Sequence, residues 1–242
     1  MKRLNLYNMQ KIKFIVILGS LFIISSCEKN CEKDKTWLNT DLDYKCVKDR
    51  GGNKYATIKI GDQTWMAENL RTNVYSNGDP IPNVTDGTLW GNLTTGAWAH
   101  NNNDTQYESP YGKIYNWYAV ADPRNVCPSG WHVPTDAEWT VLTDYLGDES
   151  VAGGKMKSID TQYWTSPNTS ATNESGFSGL PGGDRVDSYG KFYDVGGYGF
   201  WWSSTEENNY DAWCRYLYYT NDNTHRPSRR KQDGFSVRCI QD

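Results

Sequence analysis

PTDAEWTVLTDYLG, residues 134–147, is the stretch of this chain that carries the full set of helix signals. Thr135 and Glu138 form a T-x-x-E capping box, in which each side chain satisfies a backbone N–H at the helix start. Pro134 and Trp139 occupy the two positions of a hydrophobic staple. Trp139, Leu142, Tyr145 and Leu146 recur at helical spacing and define the expected buried face. Gly147 is a suitable C-terminal stop. A weaker helix is expected over 149–158, where Gly153-Gly154 lowers the propensity. Elsewhere, short apolar runs alternate with Gly, Asn, Asp, Ser and Thr, so the rest of the fold must be short strands and long loops.

The rings available to fill such a fold are unusual: 11 Trp and 17 Tyr against 6 Phe. A few large buried aromatics therefore have to stabilise one globular domain. An exposed Trp or Tyr can equally stack on a sugar. YATIKIGDQTWMAENL predicts a hairpin around Gly61-Asp62. Residues 76–110 read as a long irregular loop anchored by Trp90 and Trp98. YNWYAV (115–120) reads as a buried strand. Further strands are expected at 190–195, 200–204, 213–219 and 234–240. In the last, Phe235, Val237 and Cys239 alternate onto one core face.

The first 26 residues belong to export. Four basic residues precede the apolar run FIVILGSLFII (14–24), and Ser25-Ser26-Cys27 follows. The run is too short to span a bilayer, which takes about 20 apolar residues. ISSC resembles a bacterial lipobox, which implies that Cys27 carries diacylglycerol and an N-acyl chain, several acyl chains being a firm membrane anchor. The charged stretch EKNCEKDK resembles the surface-export signal of Bacteroidetes-type lipoproteins, which implies an outer-membrane lipoprotein facing outward. Residues 27–52 are expected to be a tether, with Cys31 and Cys46 closing a loop in it, and 53–242 to be the folded domain. Removing residues 1–26 takes four of the 25 basic residues and none of the 29 acidic ones, leaving a formal charge of −8. That excludes a general nucleic-acid binder, which presents a basic face.

WMAENLRT, YNWYAV, CPSGWHVPTDAEW, NESGFSGLPGGDR, WWSSTE and GFSVRC follow one another in the order typical of the Fibrobacter succinogenes major paralogous domain. From about Asn53 to the C-terminus the chain resembles that family. The family in turn is similar to the formylglycine-generating enzyme and C-type lectin folds, through PTDAEW (134–139) and GFSVRC (234–239). The resemblance implies an α+β, C-type-lectin-like domain with short helices on a twisted, mostly antiparallel sheet and long irregular loops. It implies no established activity.

CPSGWHVPTDAEW also places Cys127 near His132, the arrangement of a nucleophile and its base. Proximity along the chain does not bring the side chains together, because Pro128 and Gly130 extend the backbone between them. In an exported chain a disulfide is the stronger expectation, with Cys127 paired to Cys239. The resemblance to formylglycine-generating enzymes implies a redox-active cysteine pair near the C-terminus. Here Cys214 and Cys239 lie 25 residues apart, outside any C-x-C cluster. If Cys239 pairs with Cys127, Cys214 is the odd thiol.

No catalytic constellation, no metal-ligand spacing and no cofactor motif is complete. Ser166-Pro167-Asn168 and Thr220-Asn221-Asp222 only approximate the sugar-binding triplets of C-type lectins, so calcium is not expected. The candidate ligand contacts are Trp201, Trp202 and Trp213, together with Arg229 and Arg230 of the basic segment HRPSRRK (225–231). Alternation puts Trp201 and Trp202 on opposite faces of their strand. The expected function is non-catalytic binding or adhesion at the cell envelope, toward a glycan or a surface protein. An oxidoreductase related to formylglycine-generating enzymes, or a purely structural envelope protein, is the alternative.

Overall fold

The computed structural model describes Cys31 and residues 35–159, 161–186 and 189–242. Cys27 and the signal segment lie outside the described residues. The chain begins with β1 (Lys45–Lys48), β2 (Lys54–Ile60) and β3 (Gln63–Met66), then α1 (Gly87–Gly91) and β4 (Trp98–Ala99). Next come α2 (Glu108–Tyr111), β5 (Ile114–Asn116), α3 (Trp117–Val120) and β6 (Trp131–His132). The long helix α4 (Asp136–Tyr145) and the short α5 (Ala152–Met156) follow. The remainder is strand: β7 (Gly182–Arg185), β8 (Phe192–Val195), β9 (Tyr198–Glu206) and β10 (Asp211–Tyr218), then β11 (Ser228–Arg230), β12 (Gly234–Phe235) and β13 (Ile240–Gln241). The result is a mixed α+β fold, mostly sheet with few short helices.

Two sheets form. The smaller runs β1-β2-β3-β13-β6, and the larger runs β11-β10-β9-β7-β12-β5-β4 with β8 paired to β7. The pairings between strands are antiparallel except β7–β9. In the β2–β3 hairpin, Ile60 faces Gln63 across the Gly61-Asp62 turn, with Gly61 at φ +59°. The capping box is complete: Glu138 N–H donates to Thr135 Oγ1 at 3.2 Å and Thr135 N–H to Glu138 Oε2 at 2.8 Å. Gly147 ends the helix at φ +112°.

Four expectations need correction. Tyr145 is exposed rather than core, because at 3.6 residues per turn it sits about 120° around α4 from Trp139, at the margin of the apolar stripe. Its ring instead lies over Gly61, where an added Cβ would come within 2.9 Å of it. YNWYAV is not one strand, because the Asn116 side chain accepts from Ala119 N–H at 3.1 Å and starts α3. Residues 35–52 are part of the fold and not a tether. Strand β1 pairs with β2, and Trp37, Leu38 and Tyr44 are buried, so three apolar anchors hold a stretch that reads as polar. The final segment is core on both faces, since Ser236 and Arg238 are as buried as Phe235, Val237 and Cys239.

Strand β9 separates two core clusters. Trp201 joins Trp65, Trp139 and Phe177 on one side, and Trp202 joins Phe200, Phe235 and Val237 on the other. Both of these indoles find an acceptor: Trp201 Nε1 donates to Asn69 Oδ1 and Trp202 Nε1 to the Tyr115 carbonyl, both at 2.8 Å. The loops hang on buried cations. Arg238 donates to the carbonyls of Phe177 and Ser178 and to Asn69 Oδ1. Arg185 donates to the carbonyls of Gly190, Val84 and Thr85. Lys157 donates to those of Thr169, Tyr218 and Asn221. Gly153 and Gly154 are tolerated in α5 because the chain there needs them: a Cβ would come within 2.3 Å of the Asn223 carbonyl and 2.6 Å of the Ser170 carbonyl.

Disulfides join Cys31 to Cys46 and Cys127 to Cys239. The second spans 112 residues and fastens the segment before β6 to the one before β13, two strands that already pair. Closing a loop of that length is worth about 4–5 kcal/mol in the chain-entropy account. Replacing Cys127 and Cys239 together by Ala should lower unfolding free energy by about 2–5 kcal/mol, read from the urea midpoint of the wild-type and doubly substituted domains. A loss below about 1 kcal/mol would mean the strand pairing alone carries this junction.

Candidate functional site

On the large sheet, the side chains of β7 to β11 surround an open cavity of about 560 Å³. Its floor follows from alternation along β9, which puts Tyr198 and Phe200 on the same face as Trp202. Tyr216 of β10 stands opposite Phe200, and Tyr218 opposite Tyr198. These rings stack on each other: Tyr198 on Tyr218 at 4.2 Å, Phe200 on Phe235 at 4.9 Å, and Tyr216 on His225 at 4.3 Å. Most of their faces are therefore spent within the protein, leaving edges and hydroxyls for the cavity. Two exposed rings belong to the same strands and turns without lining the cavity. Tyr193 of β8 lies directly across from Asp184 and is 48% exposed. Tyr210, next to Asp211, is 69% exposed, with the Arg230 guanidinium 5.8 Å from its centroid.

The walls are charged. Asp184 of β7, Asp194 of β8, Asp211 of β10 and Asp233 line the cavity with Arg229 and Arg230 of β11. Arg230 approaches Asp211 at 3.7 Å. Asp184 is the anomaly, since its Oδ1 is buried and has no hydrogen-bond partner. Burial, reinforced by the negative charges of Asp194 and Asp233, pushes its carboxyl up to about 7, with Arg229 pulling the other way. A carboxyl held in this state is costly for the fold and characteristic of sites that meet a ligand.

The Fibrobacter succinogenes major domain family matches residues 58–241. The chain belongs to that family. No curated protein and no solved structure matches it. The match begins inside β2, so β1 and the packed segment before it lie upstream of the family region.

Within this Fibrobacter succinogenes major domain, the residues singled out as ligand contacts scatter. Arg229 and Arg230 do reach the cavity. Trp201 and Trp202 do not, because both are completely buried. Their strand is central in the large sheet with core on each side, so alternation sends one ring into each core and neither to solvent. Trp213 is half-buried and covered by Arg226, whose guanidinium sits 3.8 Å from its centroid. Asp136 holds that guanidinium at 2.7 Å and the buried Arg215 at 2.7 Å, a role beyond its place in the first helical turn. Asp184, Asp194 and Tyr193 carried no signal in the sequence. GGDR and FYDV look like turn and edge-strand residues until β7 and β8 pair.

The catalytic-cysteine arrangement is dismantled. Cys127 is bonded to Cys239, and His132 is held by Asp242 at 2.6 Å and Glu138 at 2.9 Å. Burial lowers the His132 pKa, but the hydrogen bonds to Asp242 and Glu138 outweigh it and raise the imidazole above its ordinary value. The Cys214 thiol is buried 3.5 Å from the Pro227 carbonyl, and burial pushes its pKa far up, so it is not poised as a thiolate. Among the described residues no cluster of three or more His, Cys, Asp or Glu can hold a metal ion.

Thiol titration of the chain from residue 28 onward should find no reactive thiol in the folded domain and one after denaturation without reductant. A second thiol, or a fast-reacting one, would contradict the buried Cys214. For Asp184, the sign follows from its raised pKa. Below the ordinary value of 3.8 both folded and unfolded states are protonated and the site costs nothing. Between there and about 7 the unfolded state loses the proton first, so this carboxyl destabilises the fold increasingly as pH rises. Asp184→Asn should therefore be more stable than wild type in mildly alkaline buffer. The gain should vanish at strongly acidic pH, as read by thermal unfolding across the pH series. A gain independent of pH would contradict the assignment.

Proposed function

We propose that this chain is a non-catalytic cell-envelope lipoprotein, anchored through acylated Cys27, whose C-type-lectin-like domain binds a glycan in the cavity beneath β11. The observation that carries the reading is the composition of that cavity. Polar, charged walls over a floor of tyrosine hydroxyls and ring edges suit a ligand that combines hydroxyl groups with apolar ring surface. The dimensions fall in the range of small-molecule sites, about 300–1,000 Å³. The binding is calcium-independent. Supporting this, the carbonyls of Thr169, Tyr218 and Asn221, which include the region of the lectin-like triplet Thr220-Asn221-Asp222, are engaged by the Lys157 ammonium. The disulfide at Cys239 and the buried Cys214 speak against oxidase chemistry on a cysteine pair. An outward-facing position on the outer membrane rests on the charged segment after Cys27.

A glycan panel probed with the domain from residue 28 onward tests the reading. Binding should survive EDTA and fall at least about tenfold, roughly 1.4 kcal/mol, in Arg229→Ala, whose side chain lines the cavity. Loss of binding in EDTA would overturn calcium independence, and absence of any glycan signal would overturn the ligand class. Labelled palmitate should enter the full chain and be lost in Cys27→Ser.

A further inference from the structure

We propose that the basic end of the β1–β2 pair, Lys48, Arg50 and Lys54, rests on the anionic phosphate headgroups of the membrane that holds the anchor. The inference rests on the reading of Cys27 as the acylated residue and adds a contact made by the folded domain itself. It begins from the Cys31–Cys46 disulfide, which brings the two Cα atoms to 5.8 Å and pins Cys31 to β1, an edge strand of the smaller sheet. Only Glu28, Lys29 and Asn30 separate Cys27 from Cys31 in the sequence. Four residue steps reach at most about 14 Å even when fully extended. An acyl anchor at Cys27 therefore holds β1 close to the bilayer.

The surface held there is positive. Lys48 lies directly across from Lys54, and alternation puts both on the face of the strand pair that carries Cys46. Cys46 and Lys48 are two residues apart, about 7 Å along the strand. Arg50 is exposed in the turn between β1 and β2. Like charges directly opposite each other are unfavourable in a sheet. Among the described residues none of these three cations enters an ion pair. The acid of the turn, Asp49, is buried and accepts from Asn53 N–H and Nδ2 at 2.8 Å and from the Tyr55 hydroxyl at 2.7 Å. Arg50 also lies beside the turn at Gly78, where Asp79 is held by Arg124 at 3.1 Å. The exposed acids Asp41 and Asp43 precede β1, at the end away from Lys48. The chain after residue 26 is acidic overall, so an anionic surface repels the domain as a whole. Tethered this closely, the domain settles with its cationic end toward the phosphates, where the attraction acts within a Debye length of about 8 Å. This contact shares no residue with the lining of the cavity on the larger sheet.

Amine-reactive labelling of the full acylated chain, reconstituted in vesicles and read lysine by lysine by mass spectrometry, tests the contact. On phosphatidylethanolamine vesicles containing phosphatidylglycerol, Lys48 and Lys54 should label at least about fivefold more slowly than in neutral detergent. High salt should restore their labelling, and phosphatidylcholine vesicles should give no such protection. Lys59, on the opposite face of β2, and Lys191 should label alike throughout. Lys48→Gln with Arg50→Gln should release Lys54 on the anionic vesicles. Lys59→Gln with Lys191→Gln, the same change of net charge, should not. Equal labelling of Lys48 and Lys54 on anionic and neutral vesicles overturns the headgroup contact and leaves the lipoprotein reading intact. Protection found on native outer membranes but missing on pure lipid means that the edge docks on a protein, which also overturns it. If the chain acquires no acyl group and Cys27→Ser incorporates as well as wild type, the anchor reading falls and the contact falls with it.

Discussion

The fold depends on buried cations that bond to backbone carbonyls. Long loops rich in Gly, Asn and Ser carry carbonyl groups that no sheet or helix satisfies, and burying them unpaired costs about 1–3 kcal/mol each. Guanidinium and ammonium groups meet that demand with several donors apiece. Arg238 draws 177–178 toward Asn69, Arg185 draws 84–85 toward the turn at Gly190, and Lys157 ties the loop at Thr169 to the end of β10 and the turn that follows it. Aromatic rings lie against the same groups, with Arg185 at 4.2 Å from Trp90 and Arg238 at 4.1 Å from Phe177. The charge is dispersed over carbonyl dipoles and ring faces instead of being cancelled by one carboxylate. Burial still lowers these groups, Lys157 to about 8 and Arg185 to about 10, and both remain protonated near neutrality.

The candidate site inherits its geometry from this arrangement. Arg185 follows Asp184 in β7, so the guanidinium that anchors the loops on one face fixes the carboxyl on the other. Strand β9 supplies the floor through Tyr198 and Phe200 while its intervening residues fill the opposite core. The rings of the floor stack on one another, so aromatic contacts rather than aliphatic packing shape the cavity. The electrostatic cost of the site is concentrated on Asp184, whose Oδ1 has no hydrogen-bond partner.

Much of this was legible beforehand. The capping box, the staple and Gly147 specified α4 through interactions within a few residues of one another, and the Gly61-Asp62 turn specified a hairpin in the same way. The Cys127–Cys239 bond was expected on the reading that an exported chain pairs its cysteines. Six ordered motifs carried the family. Other features did not survive contact with the fold. Trp201 and Trp202 look alike in the sequence whether their strand is central or at an edge, and only the second core decided that both are buried. Tyr145 belongs to the helical repeat, yet its exposure depends on how α4 rolls against the hairpin.

By itself, then, the sequence determined what short-range chemistry controls: where the helix starts and stops, where the chain turns and which family it belongs to. Tertiary structure decided what depends on groups far apart in the chain. It drew residues 35–52 into the smaller sheet, turned basic side chains inward onto loop carbonyls, and set Asp184 across from Tyr193 near Arg229. Capping and turn preferences act over three or four residues, so they can be read along the chain. Burial and the missing donor at Asp184 exist only once β7 to β11 are assembled, because they are properties of the space between the strands.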